Sequence, residues 1–121
     1  MVIRTVRGDI APESLGVTYM HEHLYGFSPT EGSDLDLTLN SEAAATYELL
    51  LFKGAGGRAI VEMSPQDYSR NPQVLKRLSE TTGVHVIMVT GYIKAASADK
   101  FVENKSVNNL TDELVKDIRE G

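Results

Sequence analysis

Two of the three histidines in this 121-residue chain stand two positions apart, in the triplet His21-Glu22-His23. Alternate side chains of a β-strand share one face, so the two imidazoles would lie about 6.6 Å apart along a strand that rises ~3.3 Å per residue. Two imidazoles at that separation can bind one ion, because zinc takes histidine nitrogens at ~2.0–2.1 Å. The alternative is that the two histidines are a chance pair on a half-buried strand and bind no metal. Both interpretations are open on spacing alone.

Acidic residues would have to complete such a pair, because catalytic zinc usually takes three protein ligands and a water molecule. Glu62 is a candidate whose role depends on which face of its strand it occupies. Asp67 is another candidate, although its position favours a loop cap or a partner for Arg70. Asp34 and Asp36 could reach the site from a long loop, for which a solvated loop is the alternative.

The third histidine and one tyrosine have different expected roles. His85 begins its strand, and the five residues to Thr90 put it ~16 Å from the end where the other histidines would lie. We therefore predict that His85 is structural and takes no part in metal binding. Tyr92 follows the end of that strand. It is a candidate substrate-binding residue, with a packing aromatic as the alternative.

The elements that would position these side chains alternate between strands and helices. Short β-branched or apolar runs predict strands at 2–6, 17–24, 58–63 and 84–89. Apolar periodicity and capping signals predict helices at 42–53, 72–82 and 111–120, the second of them between Asn71-Pro72 and Gly83.

Strand faces follow from the same alternation. Val17 and Tyr19 are expected on the face that carries the two histidines, as an apolar floor below them. The inward faces of the later strands are expected to include Val61, Val86 and Met88.

Strands that alternate with helices predict right-handed βαβ units and a parallel sheet, hence the α/β class. The loops after the strands, 26–40, 64–71 and 92–109, are long and polar, whereas the returns to the next strand are short and rich in glycine. A closed (β/α)₈ barrel needs ~250 residues. The 121 residues would make about half of such a barrel, and an open parallel sheet shows the same alternation.

Composition excludes several classes of function. The chain has 12 Lys and Arg against 17 Asp and Glu, for a formal net charge of −5, and it has no cysteine. Disulfides, cysteine-ligated zinc and thiol nucleophiles are excluded, and the acidic balance argues against nucleic acid or a membrane as partner. No apolar run reaches the ~20 residues of a membrane span and no signal peptide is visible, so a cytoplasmic protein is expected. The glycines at 54–57 precede a strand and predict a helix stop, not a phosphate-binding loop.

Taken together, these segments resemble the phosphotriesterase family of amidohydrolase-type metal-dependent hydrolases. The matching stretches are 5–10, 15–24, 60–64, 69–71 and 89–92, of which the run from Leu15 to Leu24 is the most specific. The resemblance implies the α/β fold of a (β/α)₈ TIM barrel. Residues 1–121 would be its N-terminal portion, about three βα units after a short N-terminal strand, as one partial-barrel domain. It also implies two divalent metal ions, usually zinc, and a metal-bridging hydroxide that attacks phosphorus or carbonyl. It implies that His21 and His23 bind the more buried ion and that Tyr92 lies near the substrate pocket. The bridging lysine belongs to a fourth core strand, so Lys94 is not that residue, and two histidines and an aspartate belong to later strands.

The expected function is therefore that of the N-terminal part of a metal-dependent hydrolase. Its partner would be a small-molecule ester, lactone or phosphotriester. The alternative is a non-catalytic partial barrel or assembly module, since an open parallel sheet edge favours association, including a homodimer. Made alone, the 121-residue chain is predicted to have little hydrolase activity and poor stability as a monomer, because uncovered core side chains cost ~1.5–3 kcal/mol each.

Overall fold

The computed structural model describes residues 1–27, 38–93 and 95–120, without the side chains of 95–97. Within them the strands are β1 (Ile3–Thr5), β2 (Gly8–Ile10), β3 (Thr18–Glu22), β4 (Ala59–Glu62) and β5 (His85–Met88). The helices are α1 (Glu42–Gly54), α2 (Pro72–Thr82), α3 (Ala95–Val102) and α4 (Val107–Glu120). Two 3₁₀ turns, Pro12–Ser14 and Gln66–Tyr68, lie in the loops. The predicted candidates Asp34, Asp36 and Lys94, and most of the loop 26–40, lie outside the described residues.

Local capping explains why the two central helices begin where the sequence predicts. The Ser41 hydroxyl accepts a hydrogen bond from the Ala44 amide of α1, and the Asn71 side chain accepts one from the Val74 amide of α2. Pro72 occupies the first turn of α2, where its missing N–H costs nothing. Gly83 ends α2 with φ 76°, a left-handed conformation that glycine adopts without strain.

The central sheet is parallel, in the order β3-β4-β5, as the alternation of strands and helices predicts. β1 and β2 form a separate antiparallel hairpin, of which the sequence predicted only the first strand. The Val6 amide after β1 donates to the Val86 carbonyl at 2.9 Å, so the hairpin is attached to the outer edge of β5. The fold class is confirmed as a mixed α/β unit built on parallel strands.

The hydrophobic core lies between this sheet and helices α1 and α2. Ile60 of β4 pairs with Val86 of β5, and both are buried against the helices, in a cluster that includes Leu49, Leu75 and Leu78. Val61 pairs with Ile87 on the opposite face, where both are half-buried.

The predicted inward set was therefore wrong for two of its three members. Val86 is fully buried on the helix-facing side, and Met88 packs against the same core. Strand pairing explains the difference. Val61 pairs with Ile87, and the residue next to Ile87 along the strand, Val86, points to the opposite face.

A β-bulge in β3 changes which side chains accompany the histidines. Tyr19 pairs with Ile60 and Glu22 with Glu62, so three steps on β3 match two steps on β4. Tyr19 and Glu22 therefore share the helix-facing side with Ile60, and His21 lies on the other side. The predicted apolar floor of Val17 and Tyr19 under the histidines was wrong, because strict alternation ignores the extra residue.

The C-terminal part also differs from the sequence-based expectation. α3 occupies part of the predicted loop 92–109, and α4 begins four residues earlier than predicted. Its start is explained by Ser106 and Asn109: the Ser106 hydroxyl accepts from the Asn109 amide, and the Asn109 side chain accepts from the Ser106 amide. Across the described residues, none of the helices combines the length and apolar character that a membrane span requires.

Candidate metal centre

The imidazoles of His21 and His23 meet at the carboxyl end of β3. Their ring centroids are 5.6 Å apart with an interplanar angle of 69°. The His21 side chain is exposed and the His23 side chain is half-buried. The predicted convergence of the two rings is confirmed, while the bulge puts Tyr19 on the opposite face from His21.

His23 is held from one side by residues that follow β4. Its Nδ1 lies 2.9 Å from the Ser64 hydroxyl, and its ring centroid lies 5.5 Å from that of Tyr68. Burial lowers the pKa of His23, and nearby His21 lowers it further, while Glu22 opposes the shift. The neutral imidazole, which is the form that binds metal ions, is therefore favoured.

Glu62 lies beneath this arrangement, fully buried on the helix-facing side of β4. Its carboxylate accepts hydrogen bonds from the Leu24 amide at 3.2 Å and the Ser64 amide at 3.1 Å. Burial raises the pKa of Glu62, and the hydrogen bonds to its carboxyl group oppose the rise. Glu62 thus ties the loop that carries His23 to the end of β4, and its oxygens are already engaged by the chain.

Asp67 serves the loops rather than the histidine pair. Its buried carboxylate accepts from the Ile93 amide at 3.0 and 3.1 Å, which joins the loop after β4 to the loop after β5. Arg70 forms its ion pair with Asp117 of α4 at 3.0 Å and also donates to the Val89 carbonyl. The loop role predicted for Asp67 is observed, and the ion pair of Arg70 is with a residue that the sequence did not suggest.

The described residues bring two imidazoles together as candidate metal ligands. In the ranges 1–27, 38–93 and 95–120, no group of three or more histidine, aspartate or glutamate side chains lies close enough to hold a metal ion. Two converging imidazoles suit a borderline-soft divalent ion such as zinc, and further ligands are needed to complete its coordination. The observed pair therefore fits part of such a site.

His85 lies away from the pair, and Tyr92 lines a different cavity. His85 begins β5, at the opposite end of the sheet, with its Nδ1 3.1 Å from the Arg7 guanidinium. Tyr92 packs on Phe101 with ring centroids 6.1 Å apart and lines a cavity of about 390 Å³. Its cavity and the one that His23 borders have no lining residue in common in the described part of the chain.

His23 borders a cavity of about 470 Å³ between β3 and α1. Leu49, Phe52 and Ile60 form apolar walls, and Glu22 adds a carboxylate near His23. This volume lies in the range of small-molecule sites.

The sequence did not predict that Ser64 and Glu62 hold His23 together. A serine two residues after a glutamate is too common a pattern to indicate such a role.

Parallel strands joined through helices, with polar side chains gathered at their carboxyl ends, form the arrangement that (β/α)₈-barrel proteins repeat around a closed sheet. The sequence profile of the phosphotriesterase family matches residues 1–121. The chain belongs to the phosphotriesterase family.

Individual relatives agree with this assignment. Human N-acetyltaurine hydrolase is 34% identical over 98% of this chain and 43% of its own length. A crystal structure of an amidohydrolase from Mycoplasma synoviae superposes with a TM-score of 0.88 at 30% identity, over 99% of this chain and 36% of that one. A lactonase from Listeria monocytogenes gives a TM-score of 0.86 at 27% identity, over 100% and 43%. The chain thus spans about two fifths of the length of these relatives.

Proposed function

We propose that the protein containing this chain is a metal-dependent hydrolase and that His21 and His23 are two of its metal ligands. The observation that supports this most is the converging imidazole pair at the carboxyl end of β3, with His23 fixed by Ser64. Membership of the phosphotriesterase family supports the same proposal. The remaining ligands would come from elements other than those described.

The residues of this chain would bind and orient rather than transfer protons. His21 and His23 would hold the ion, zinc or another divalent metal, and a second ion at the same site is proposed from the family. When bound, such an ion lowers the pKa of water to about 7 and polarises the bond that is cleaved. Glu62 and Ser64 would fix the position of His23. Tyr92 would line the substrate pocket, a role for which its place after β5 is the support.

The proposed substrates are small esters, lactones or phosphotriesters. The similarity to a lactonase supports the lactone among them. A second candidate is a carboxamide, because the relative at 34% identity is an N-acetyltaurine hydrolase. Both classes present an acyl or phosphoryl centre to the same kind of nucleophile, so the choice depends on pocket shape and is a matter for assay.

The test is hydrolysis by the full-length protein that contains this chain. Metal-stripped protein and protein reloaded with zinc or manganese would be assayed against a lactone, an aryl ester, a phosphotriester and N-acetyltaurine. We expect turnover of at least one substrate only after reloading, and its loss in His23→Ala but not in His85→Ala. A reloaded, folded protein inactive on all four would favour the assembly-module alternative. Activity that survives complete metal removal would contradict the proposal.

A further inference from the structure

Ser64 occupies a position between a buried carboxylate and a proposed metal ligand. The residue is fully buried, its hydroxyl lies 2.9 Å from His23 Nδ1, and its backbone amide donates to Glu62 at 3.1 Å. A hydroxyl can either donate or accept a hydrogen bond. The direction of the bond to His23 decides which nitrogen of the ring is protonated.

Glu62 holds both ends of this contact through the backbone. Its carboxylate accepts from the Ser64 amide at 3.1 Å and from the Leu24 amide, next to His23, at 3.2 Å. Because Ser64 engages Nδ1, Nε2 is the ring nitrogen left to face an ion. A bare Nε2 in a neutral ring requires a proton on Nδ1, which is then donated to the Ser64 oxygen.

We propose that Ser64 is a positioning residue for the metal site: anchored by Glu62, its hydroxyl accepts the Nδ1 proton of His23 and leaves the Nε2 lone pair free to bind the ion. The inference rests on the proposed function because it assigns His23 to a metal site. The contact between Ser64 and His23 does not depend on that proposal. Metal-bound histidines commonly donate their other N–H to a carboxylate or carbonyl, which fixes the tautomer and the ring orientation. Here the buried Ser64 hydroxyl takes the place of that carboxylate or carbonyl.

Packing around Ser64 supports a built arrangement rather than a chance contact. A Cβ atom on Gly26 would come within 3.0 Å of the Ser64 hydroxyl and 2.7 Å of the Tyr68 carbonyl, so the loop after β3 closes tightly on both. Tyr68 in turn lies against the His23 ring. The loop after β3 and Tyr68 therefore enclose the contact between Ser64 and His23.

The decisive readout is the protonation of the two ring nitrogens of His23, measured by ¹⁵N NMR on the metal-free, full-length protein at about pH 8, well above the ordinary histidine pKa. We expect a protonated Nδ1 and a bare Nε2 in the wild type. A protonated Nε2 with a bare Nδ1 would overturn the proposal, whatever the variants do.

Two buried-serine variants separate positioning from general packing. Ser64→Ala is expected to lose the single-tautomer signature and to weaken zinc binding by about 10–100-fold, the usual effect of removing such a partner. Ser79→Ala is the matched control, because Ser79 is equally buried but donates to the Val84 carbonyl, away from the histidines. An unchanged tautomer and zinc affinity in Ser64→Ala would overturn the proposal. Absence of zinc binding by the wild type would contradict the proposed function, and the ring-nitrogen signals would still decide the role of Ser64.

Discussion

His21 and His23 have unequal surroundings, and this inequality determines what each can contribute. His21 is exposed, whereas His23 is half-buried between Ser64 and the Tyr68 ring. A ligand whose orientation is fixed before the ion arrives loses less conformational entropy when it binds. We therefore regard His23 as the preorganised ligand and His21 as the adaptable one.

The tight contact at Gly26 gives a prediction that does not touch the histidines. In Gly26→Ala, the new methyl group would overlap the Tyr68 carbonyl and crowd the Ser64 hydroxyl. We expect a loss of about 1–3 kcal/mol in the free energy of unfolding, as for other overpacked sites, measured by urea denaturation. Displacement of Tyr68 should also shift the His23 ring signals.

Gly54→Ala is the matched control for this substitution. A Cβ atom on Gly54 meets nothing within 4 Å, and the residue lies in α1. There the change is expected to be neutral or to stabilise by up to about 1 kcal/mol, because alanine favours helix over glycine. Equal stability of Gly26→Ala and the wild type would show that the loop after β3 does not close on Ser64 and Tyr68.

At the scale of secondary-structure elements, capping residues and strand runs could be read from the sequence because their causes are local. Asn71, Pro72 and Gly83 bound α2 where they were expected to. The bulge in β3 could not be predicted, because it exists only in the pairing of Tyr19 and Glu22 with β4. The predicted inward faces of β4 and β5 were wrong for the same reason. The sequence of each strand alone is compatible with either face pointing toward the helices.

The same limit applies to the candidate site. The His21-Glu22-His23 triplet was visible because its spacing is itself the signal. Ser64 and Glu62 were not recognised as its support, because the contact with His23 joins residues 41 positions apart. Distant partners of common residue types leave no periodic pattern in one sequence.

Helix α4 is attached to the sheet by a carboxylate whose ionisation should control its docking. Burial alone would raise the pKa of Asp117, but hydrogen bonds from Thr90 and Arg70 and the charge of Arg70 outweigh it, so the pKa is lowered. A carboxylate with a lowered folded-state pKa stabilises the fold above its unfolded value, and that contribution is lost as pH falls through the folded value.

We therefore predict that α4 opens before the rest of the chain on acidification. Because Asp117 is partly exposed, the effect should be about 1 kcal/mol or less. Hydrogen exchange of α4 amides, followed from neutral pH to below the ordinary aspartate value, measures it. Asp117→Asn should remove this pH dependence, whereas Asp112→Asn, on the exposed surface of the same helix, should keep it. Identical profiles for both variants would contradict the assignment.

For the whole molecule, the main feature is apolar surface outside the core. Tyr47, Leu50 and Leu51 of α1 are 62%, 48% and 53% exposed, and they lie on one side of the helix. Val61 and Ile87 add a half-buried strip on the open face of the sheet. The exposed apolar side chains of α1 promote association in water.

The 121-residue chain made alone is therefore predicted to self-associate at micromolar concentration. Replacing both Leu50 and Leu51 by glutamate should shift its sedimentation toward the monomer, because the charges oppose burial of the α1 surface. Val107→Glu, at an exposed apolar position of α4, is the control and should change sedimentation less. A monomeric wild-type chain would contradict this prediction.

The central claim, that His21 and His23 bind the metal ion of a hydrolase, is tested most directly by zinc titration of the full-length, metal-stripped protein. Wild-type protein would be compared with His21→Ala, His23→Ala and His85→Ala by calorimetry and by bound-zinc content. We predict that the first two variants lose more affinity than the ~10–100-fold that removal of a hydrogen-bond partner of a metal ligand typically costs, while His85→Ala binds as the wild type does. Equal zinc affinity and content in all four proteins would contradict the account.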